Sequence, residues 1–185
     1  MVPPYIATNN DIVIATPRLF LRKWRTTDVP IYIEMNQNKE VMQFFPGFYT
    51  KEETMQQLQR TQETMQTHGY GLYALERRDT GEFIGFTGFA HPRFQSHFTP
   101  CVEIGWRIHQ QHWQLGFATE AAKACLQYGF NELGFSTVYS FTSIHNLPSE
   151  RVMQKIGMQK QGFFNHPFLA DGHKLQLHVL YKISK

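Results

Sequence analysis

The segment Gln111-His112-Trp113-Gln114-Leu115-Gly116-Phe117-Ala118-Thr119-Glu120-Ala121-Ala122 decides how this chain is read. It follows an alternating run, Val102 to Ile108, that has the pattern of a strand. It leads into apolar residues at Ala118, Ala121, Ala122, Cys125, Leu126, Gly129, Phe130 and Leu133, the stripe of an amphipathic helix. The spacing predicts a helix over 119–133, stopped by Gly134. Strand, short glycine-bearing turn and helix therefore follow one another. A helix start has unpaired amides and the positive end of the peptide dipoles, which together suit an anion, here a pyrophosphate. Neither a G-x-x-x-x-G-K-[ST] nor a G-x-G-x-x-G pattern occurs, so a P-loop site and a dinucleotide fold are not supported.

Working outward, 137–144 is β-branched and aromatic and reads as a strand. Asn146-Leu147-Pro148-Ser149 opens a helix that ends at Gly157, with Asn146 as cap and Pro148 in the first turn. Strands are expected over 158–163 and 175–184. Upstream, 70–77 and 83–90 form a hairpin around Asp79-Thr80-Gly81. Thr50-Lys51-Glu52-Glu53 is a capping box for a helix to about 67. Asp28 is the best N-cap for a helix through Ile31, Ile33 and Met35, because it puts Pro30 in the first turn. A short helical piece covers 39–43, and 16–24 alternates as a strand. Residues 1–12 read as a polar, proline-bearing arm and 13–185 as one domain. This alternation of strands and helices gives an α+β (mixed α/β) class with a mixed sheet.

With 185 residues, 42% hydrophobic and 18% charged, the chain can bury one sizeable core. A net charge of +3, without basic runs interleaved with aromatics, argues against nucleic acid as a partner. No apolar stretch is long enough to cross a bilayer, and the start lacks the pattern of a signal peptide. Cys101 and Cys125 read as free thiols, which fits a reducing, cytoplasmic setting. Nine histidines invite a metal reading, but His109 and His112 lack a completing ligand, so no metal is expected.

Four blocks then resemble one family. Trp113 to Ala121 is similar to the acyl-coenzyme-A loop of the GNAT superfamily of N-acetyltransferases, in particular of the ribosomal-protein N-terminal (RimJ/RimL-like) subfamily. Thr16-Pro17-Arg18-Leu19-Phe20-Leu21-Arg22 resembles its opening strand, and Glu103-Ile104-Gly105-Trp106 the strand before the loop. Asn146 to Met158 resembles its Asn-x-x-Ser helix ending in Lys-x-Gly. The blocks occur in the family's order from 16 to 158. The resemblance implies a single GNAT-fold domain: a largely antiparallel mixed sheet of about seven strands, splayed in the middle and flanked by helices. Two departures stand out. Family members often have a second glycine where Gln114 stands, and no tyrosine occurs between Tyr139 and Tyr181 to protonate the leaving thiolate.

The resemblance implies acetyl-CoA as donor and co-substrate and an amine as acceptor. Amides of Gln114, Leu115, Gly116, Phe117, Ala118 and Thr119 would cradle the pyrophosphate, with Gly116 permitting close approach. The pantetheine arm would lie between 102–108 and 137–144, along Trp106, Arg107 and Ile108, with an amide of Trp106 or Arg107 polarising the thioester carbonyl. Asn146 is a helix cap that the family also places against the pantetheine. Glu103, mid-strand and on the side opposite Val102, Ile104 and Trp106, is the candidate base, with a pKa raised by burial or acting through water. Ser149 is either the acid for the thiolate or a helix-start residue. Arg151 is a solvated helix residue that could meet coenzyme phosphates.

Two aromatic loops, 44–49 and 163–168, supply Phe44, Phe45, Phe48, Tyr49 and Phe164 as walls of an acceptor pocket; the first loop is equally readable as one folded onto its own core. A free α-amine, with a pKa of about 7.7–8.0, is roughly a tenth neutral near pH 7. A lysine at about 10.4 carries a handicap of roughly 4–5 kcal/mol. The leading acceptor is accordingly a protein or peptide N-terminus, attacked directly in a ternary complex. A small-molecule amine, such as an antibiotic or other toxic amine, is the alternative enzyme reading. A non-catalytic acyl-CoA-binding regulator is the alternative of a different class. A homodimer is family habit.

Overall fold

The computed structural model describes residues 11–185. The strands are β1 (Ile12–Ala15), β2 (Leu19–Arg22), β3 (Leu72–Arg77), β4 (Phe83–Ala90), β5 (Glu103–Ile108), β6 (Thr137–Ser143), β7 (Gln159–Asn165) and β8 (Leu177–Ser184). The helices are α1 (Val29–Gln37), α2 (Lys39–Met42), α3 (Lys51–His68), α4 (Phe117–Asn131) and α5 (Leu147–Lys155). All eight strands form one sheet in the order β1-β2-β3-β4-β5-β6-β8-β7. Every neighbouring pair is antiparallel except β5 and β6, which are parallel.

Side chains alternate across each strand and feed two cores. On one face Leu21, Tyr73, Leu75, Ile104 and Val138 pack with Ala121, Ala122, Cys125 and Leu126 of α4 and Met153 of α5. On the other, Ala74, Phe83 and Phe86 pack with Tyr32, Met35, Val41 and Leu58 of the first three helices. A third cluster joins Phe98, Phe164 and Leu180 to Phe94, Cys101, Tyr139 and Phe141. Tyr139 follows Val138 of the α4 core, so this cluster lies on the sheet face that the first three helices cover.

The helix starts follow their local chemistry. Thr50 accepts from the Glu53 amide at 3.1 Å while Glu53 accepts from the Thr50 amide at 2.7 Å, a reciprocal capping box. Asn146 accepts from the Ser149 amide at 3.2 Å. Asp28 occupies the cap position of α1 but makes no capping bond, because its carboxylate is taken by Arg22 and by the Arg25 amide.

The sheet agrees with the expected mixed, largely antiparallel one of about seven strands; eight are described, because the continuous run Ile12–Ala15 also pairs with β2, although it lacks the alternation that marks a strand exposed on one face. Two expectations are corrected. Ile12 thus belongs to the sheet rather than to the arm, the rest of which, apart from Asp11, lies outside the described residues. Helix α4 starts at Phe117, two residues before the predicted start, because Gly116 rather than Ala118 ends the turn. Phe94 and Phe98 anchor the segment 91–100 in the third cluster.

Candidate active site

The site is built on the divergence of β5 from β6. These strands share one pair, Glu103 opposite Tyr139, whereas β5 pairs with β4 over six residues. The His109 amide donates to the Ile84 carbonyl at 2.8 Å, which sets the alternation along β5. Residues 103, 105 and 107 exchange main-chain bonds with β4, and the main chains of 104, 106 and 108 turn toward β6. At Val102 that direction is met: its carbonyl accepts from the Tyr139 amide at 2.9 Å. Farther along, β6 has moved away, and the amides of Trp106 and Ile108 face a gap. Arg107 is the exception among the expected main-chain contacts. Its peptide group is turned to Phe86 of β4, and its side chain goes to the opposite sheet face from Trp106.

The turn after β5 closes one end of the gap. Gln114 has φ 62° and Gly116 φ 81°, both left-handed. A β-carbon costs energy in this region, so Gln114 holds a conformation that glycine adopts freely, which accounts physically for the family's second glycine. The amides of 114 to 119 have no hydrogen-bond partner among the described residues, and the first helical bond is from the Glu120 amide to the Gly116 carbonyl at 3.0 Å. These free amides fit a diphosphate. Phe117 is buried beneath the turn, with the Arg18 guanidinium 4.6 Å above its ring. Arg18 also donates to the Leu115 carbonyl at 2.9 Å and to Glu120 at 2.6 Å. Burial pushes the Glu120 carboxyl up, but bonds from Thr16 and Arg18 hold it below its ordinary value. Ala118 and Thr119 are half-buried in the first turn.

Glu103 stands at the apex of the divergence. Its carboxyl makes no hydrogen bond or ion pair among the described residues, and burial pushes its pKa up to about 8. A carboxyl in this state can take up a proton near neutral pH. Across the gap, Asn146 donates from Nδ2 to the Thr142 hydroxyl at 3.0 Å while its Oδ1 caps α5. Ser149 is half-buried, and its hydroxyl has no partner among the described residues; the capping is done by Asn146. Arg151 is exposed on α5.

The residues expected to wall an acceptor pocket divide between two places on the sheet face that carries Glu103. Gly105, between Glu103 and Arg107, has nothing within 4 Å of where a Cβ would stand, so the strand offers an open floor there. Phe45 stacks on the Arg107 guanidinium at 4.2 Å, and the Tyr49 amide donates to the Asn36 carbonyl at 3.2 Å. Phe44 is half-buried, and Phe48 is 59% exposed at the tip of the loop. Phe164 is not with them: it is buried in the third cluster, 4.9 Å from Phe98. His166 and His178 pack on that cluster, and burial lowers both pKa values, that of His178 to about 4, so this wall is uncharged at neutral pH.

Sequence reasoning missed the Arg107 side chain, Asn36 and the clasp of Arg18 on Glu120. Arg107 had a legible signal: a charge two positions beyond Gly105 at the same strand parity as Glu103.

Comparison with known proteins agrees with this geometry. Residues 18–159 match the family model described as acetyltransferase (GNAT) domain. An uncharacterized N-acetyltransferase of Bacillus subtilis, YoaA, is 31% identical over 94% of this chain and 97% of its own length. A GNAT-family acetyltransferase structure from Bacillus anthracis superposes with a TM-score of 0.76 at 28% identity, covering 92% of this chain and 97% of that one. The fold alone is shared with RimL, a ribosomal L7/L12 α-N-protein acetyltransferase in complex with coenzyme A, at a TM-score of 0.76 and 17% identity over 94% and 98% of the two chains. A turn with free amides, a sheet that opens beside it and a matching family model over most of the length identify the chain as a member of the GNAT acetyltransferase family.

Proposed function

We propose that this protein transfers the acetyl group of acetyl-CoA directly to a primary amine, and that the amine is an α-amino group at the N-terminus of a peptide or protein. The bound thioester supplies an activated acetyl carbonyl. The amides of 114–119 hold the diphosphate, and the exposed main-chain groups of Trp106 and Ile108 align the pantetheine. The Trp106 amide donates to the carbonyl oxygen as negative charge develops there. Glu103 takes the proton released by the attacking amine, directly or through water. Ser149 offers a free hydroxyl for the departing sulfur.

The observation that supports this reading is the placement of Glu103, whose carboxyl has no hydrogen-bond or ion-pair partner among the described residues, beside the open strand floor over Gly105. Burial raises its pKa to about 8, so it can serve as a base near neutral pH. One such carboxyl suffices for an α-amine, already roughly a tenth neutral near pH 7, but not for a lysine at about 10.4. The RimL likeness concerns fold and adds only that this scaffold is used for such acceptors elsewhere.

The test is thiol release from acetyl-CoA across peptides with free N-termini, lysine peptides with blocked N-termini, polyamines and antibiotics. Release with the free N-termini is expected. Release with small amines alone would transfer the reading to a small-molecule acetyltransferase. A thermal shift with acetyl-CoA but no release with any amine would make the protein a binder without turnover.

A further inference from the structure

Among the described residues, no carboxylate pairs with the Arg107 guanidinium. Its Nη1 donates to Oδ1 of Asn36, a neutral amide, and this is its one hydrogen bond among the described residues. Its Nε is enclosed and unpartnered. Phe45 and Phe86 lie against the guanidinium at 4.2 and 5.3 Å. Burial lowers its pKa, and the groups that work the other way are the phenols of Tyr32 and Tyr49, neither of them a carboxylate.

This surrounding leaves the charge uncompensated. The guanidinium is partly buried with its Nε enclosed, and two aromatic faces and one neutral hydrogen bond return less than a carboxylate partner would. Guanidinium is the side chain best matched to a two-oxygen anion, which it can meet through parallel N–H groups.

Its position is also specific. Asn36 is fully buried and held by donating to the Thr54 hydroxyl at 3.1 Å, so the arginine is aimed by a fixed partner. Glu103, Gly105 and Arg107 project from the same face of β5, with open space over Gly105. Two residues of strand separate Gly105 from Arg107, about 7 Å. A short trough thus has a proton acceptor at one end and a cation at the other.

We propose that Arg107 binds a carboxylate of the acceptor, so that the amine acetylated here belongs to a molecule with an acid group within about one residue of its α-amine. This rests on the acetyl-transfer reading above and narrows it. An acidic side chain at the start of a peptide and the carboxylate of a free amino acid present the same chemistry, and paired acceptors separate them.

The experiment compares thiol release with peptides beginning Asp or Glu against the same peptides beginning Asn or Gln, and free amino acids against their amides. Each is run with the wild-type protein, Arg107→Met and Arg107→Lys. In parallel, titration calorimetry measures binding of the same acids and amides to the coenzyme-A-bound protein, and a thermal melt checks that each variant folds. The expected result is a preference of tenfold or more in kcat/KM and in affinity for the acid of at least one pair type. That preference collapses in Arg107→Met and is partly kept in Arg107→Lys. Equal use and equal binding of acid and amide by the wild-type protein overturns the inference, as does an acid preference that survives in a folded Arg107→Met. Acid-selective, Arg107-dependent binding without thiol release from any acceptor upholds the arginine's role and defeats the transferase reading.

Discussion

Arg22 donates through both terminal nitrogens to the two oxygens of Asp28, at 2.8 Å each, with each side chain only 2% exposed. Its Nε donates to Glu76 at 2.6 Å, and Arg25 donates to the same Glu76 oxygen at 2.7 Å. The pair fastens β2 to the start of α1 and so positions the helices that cover the acceptor face. Removing one member of such a buried pair typically costs about 3–5 kcal/mol, because the other charge is left without a partner. Arg22→Met is expected to lose that much in urea unfolding at pH 7. A loss below about 1 kcal/mol, in the range of an exposed ion pair, would contradict this.

Glu103 links activity and stability to pH with opposite signs. Its folded-state pKa lies above its unfolded value, so the folded protein retains a proton that the unfolded chain gives up. The stability term is intact below about pH 4.5 and is lost progressively as pH rises to about 8. Glu103→Gln should flatten that slope in thermal melts taken across this range. The rate should behave the other way, rising in kcat/KM toward pH 8 in the wild-type protein. Glu103→Gln should lower kcat/KM by roughly a hundredfold or more, and the limb that remains should be the α-amine's own, at about 7.7–8.0. A variant that keeps the wild-type rate would show that some other group accepts the proton.

The turn at 114–116 predicts a contrast between two substitutions. Gln114 already adopts a left-handed φ, so Gln114→Gly relieves backbone cost in the folded state while adding freedom to the unfolded chain. The two effects are of similar size, about 0.5–1 kcal/mol, and the melting temperature should barely move. Gln114→Val puts a β-branched residue at the same φ and should lose about 1–3 kcal/mol. Similar melting temperatures for the two variants would argue that the turn is not held in this conformation.

Arg18 neutralises a carboxylate in the first turn of α4. Without it, Glu120 would keep its bond from the Thr16 hydroxyl and present an unbalanced negative charge beside the free amides proposed to hold the diphosphate. Arg18→Ala is expected to weaken coenzyme A binding several-fold, with a larger effect at low ionic strength. Arg18→Ala/Glu120→Gln should recover most of the loss. Calorimetry at two salt concentrations measures both.

Much of this was legible because it is local chemistry. The capping box at Thr50, the Asn146 cap and the stripe from Ala121 to Leu126 are set by neighbours in sequence, and the structure has them where spacing puts them. The family blocks carried the rest of the fold. What escaped depends on partners far along the chain. Ile12–Ala15 becomes a strand only by lying beside β2. Asp28 is a cap by position and an arginine ligand by use, because Arg22 reaches it from the preceding strand. The Arg107 side chain means little until Asn36, 71 residues earlier, and Phe45 are seen around it.

The single rung between β5 and β6 has a consequence for the resting protein. A sheet normally keeps its unpaired main chain at the outer margins, yet here the amides of Trp106 and Ile108 are a margin enclosed within the middle of the sheet. In deuterium oxide these two positions should exchange orders of magnitude faster than Phe86 or Thr87 on the strand next door. They should slow once a coenzyme lies alongside, so the isotope clock at two residues reports whether the cleft is filled.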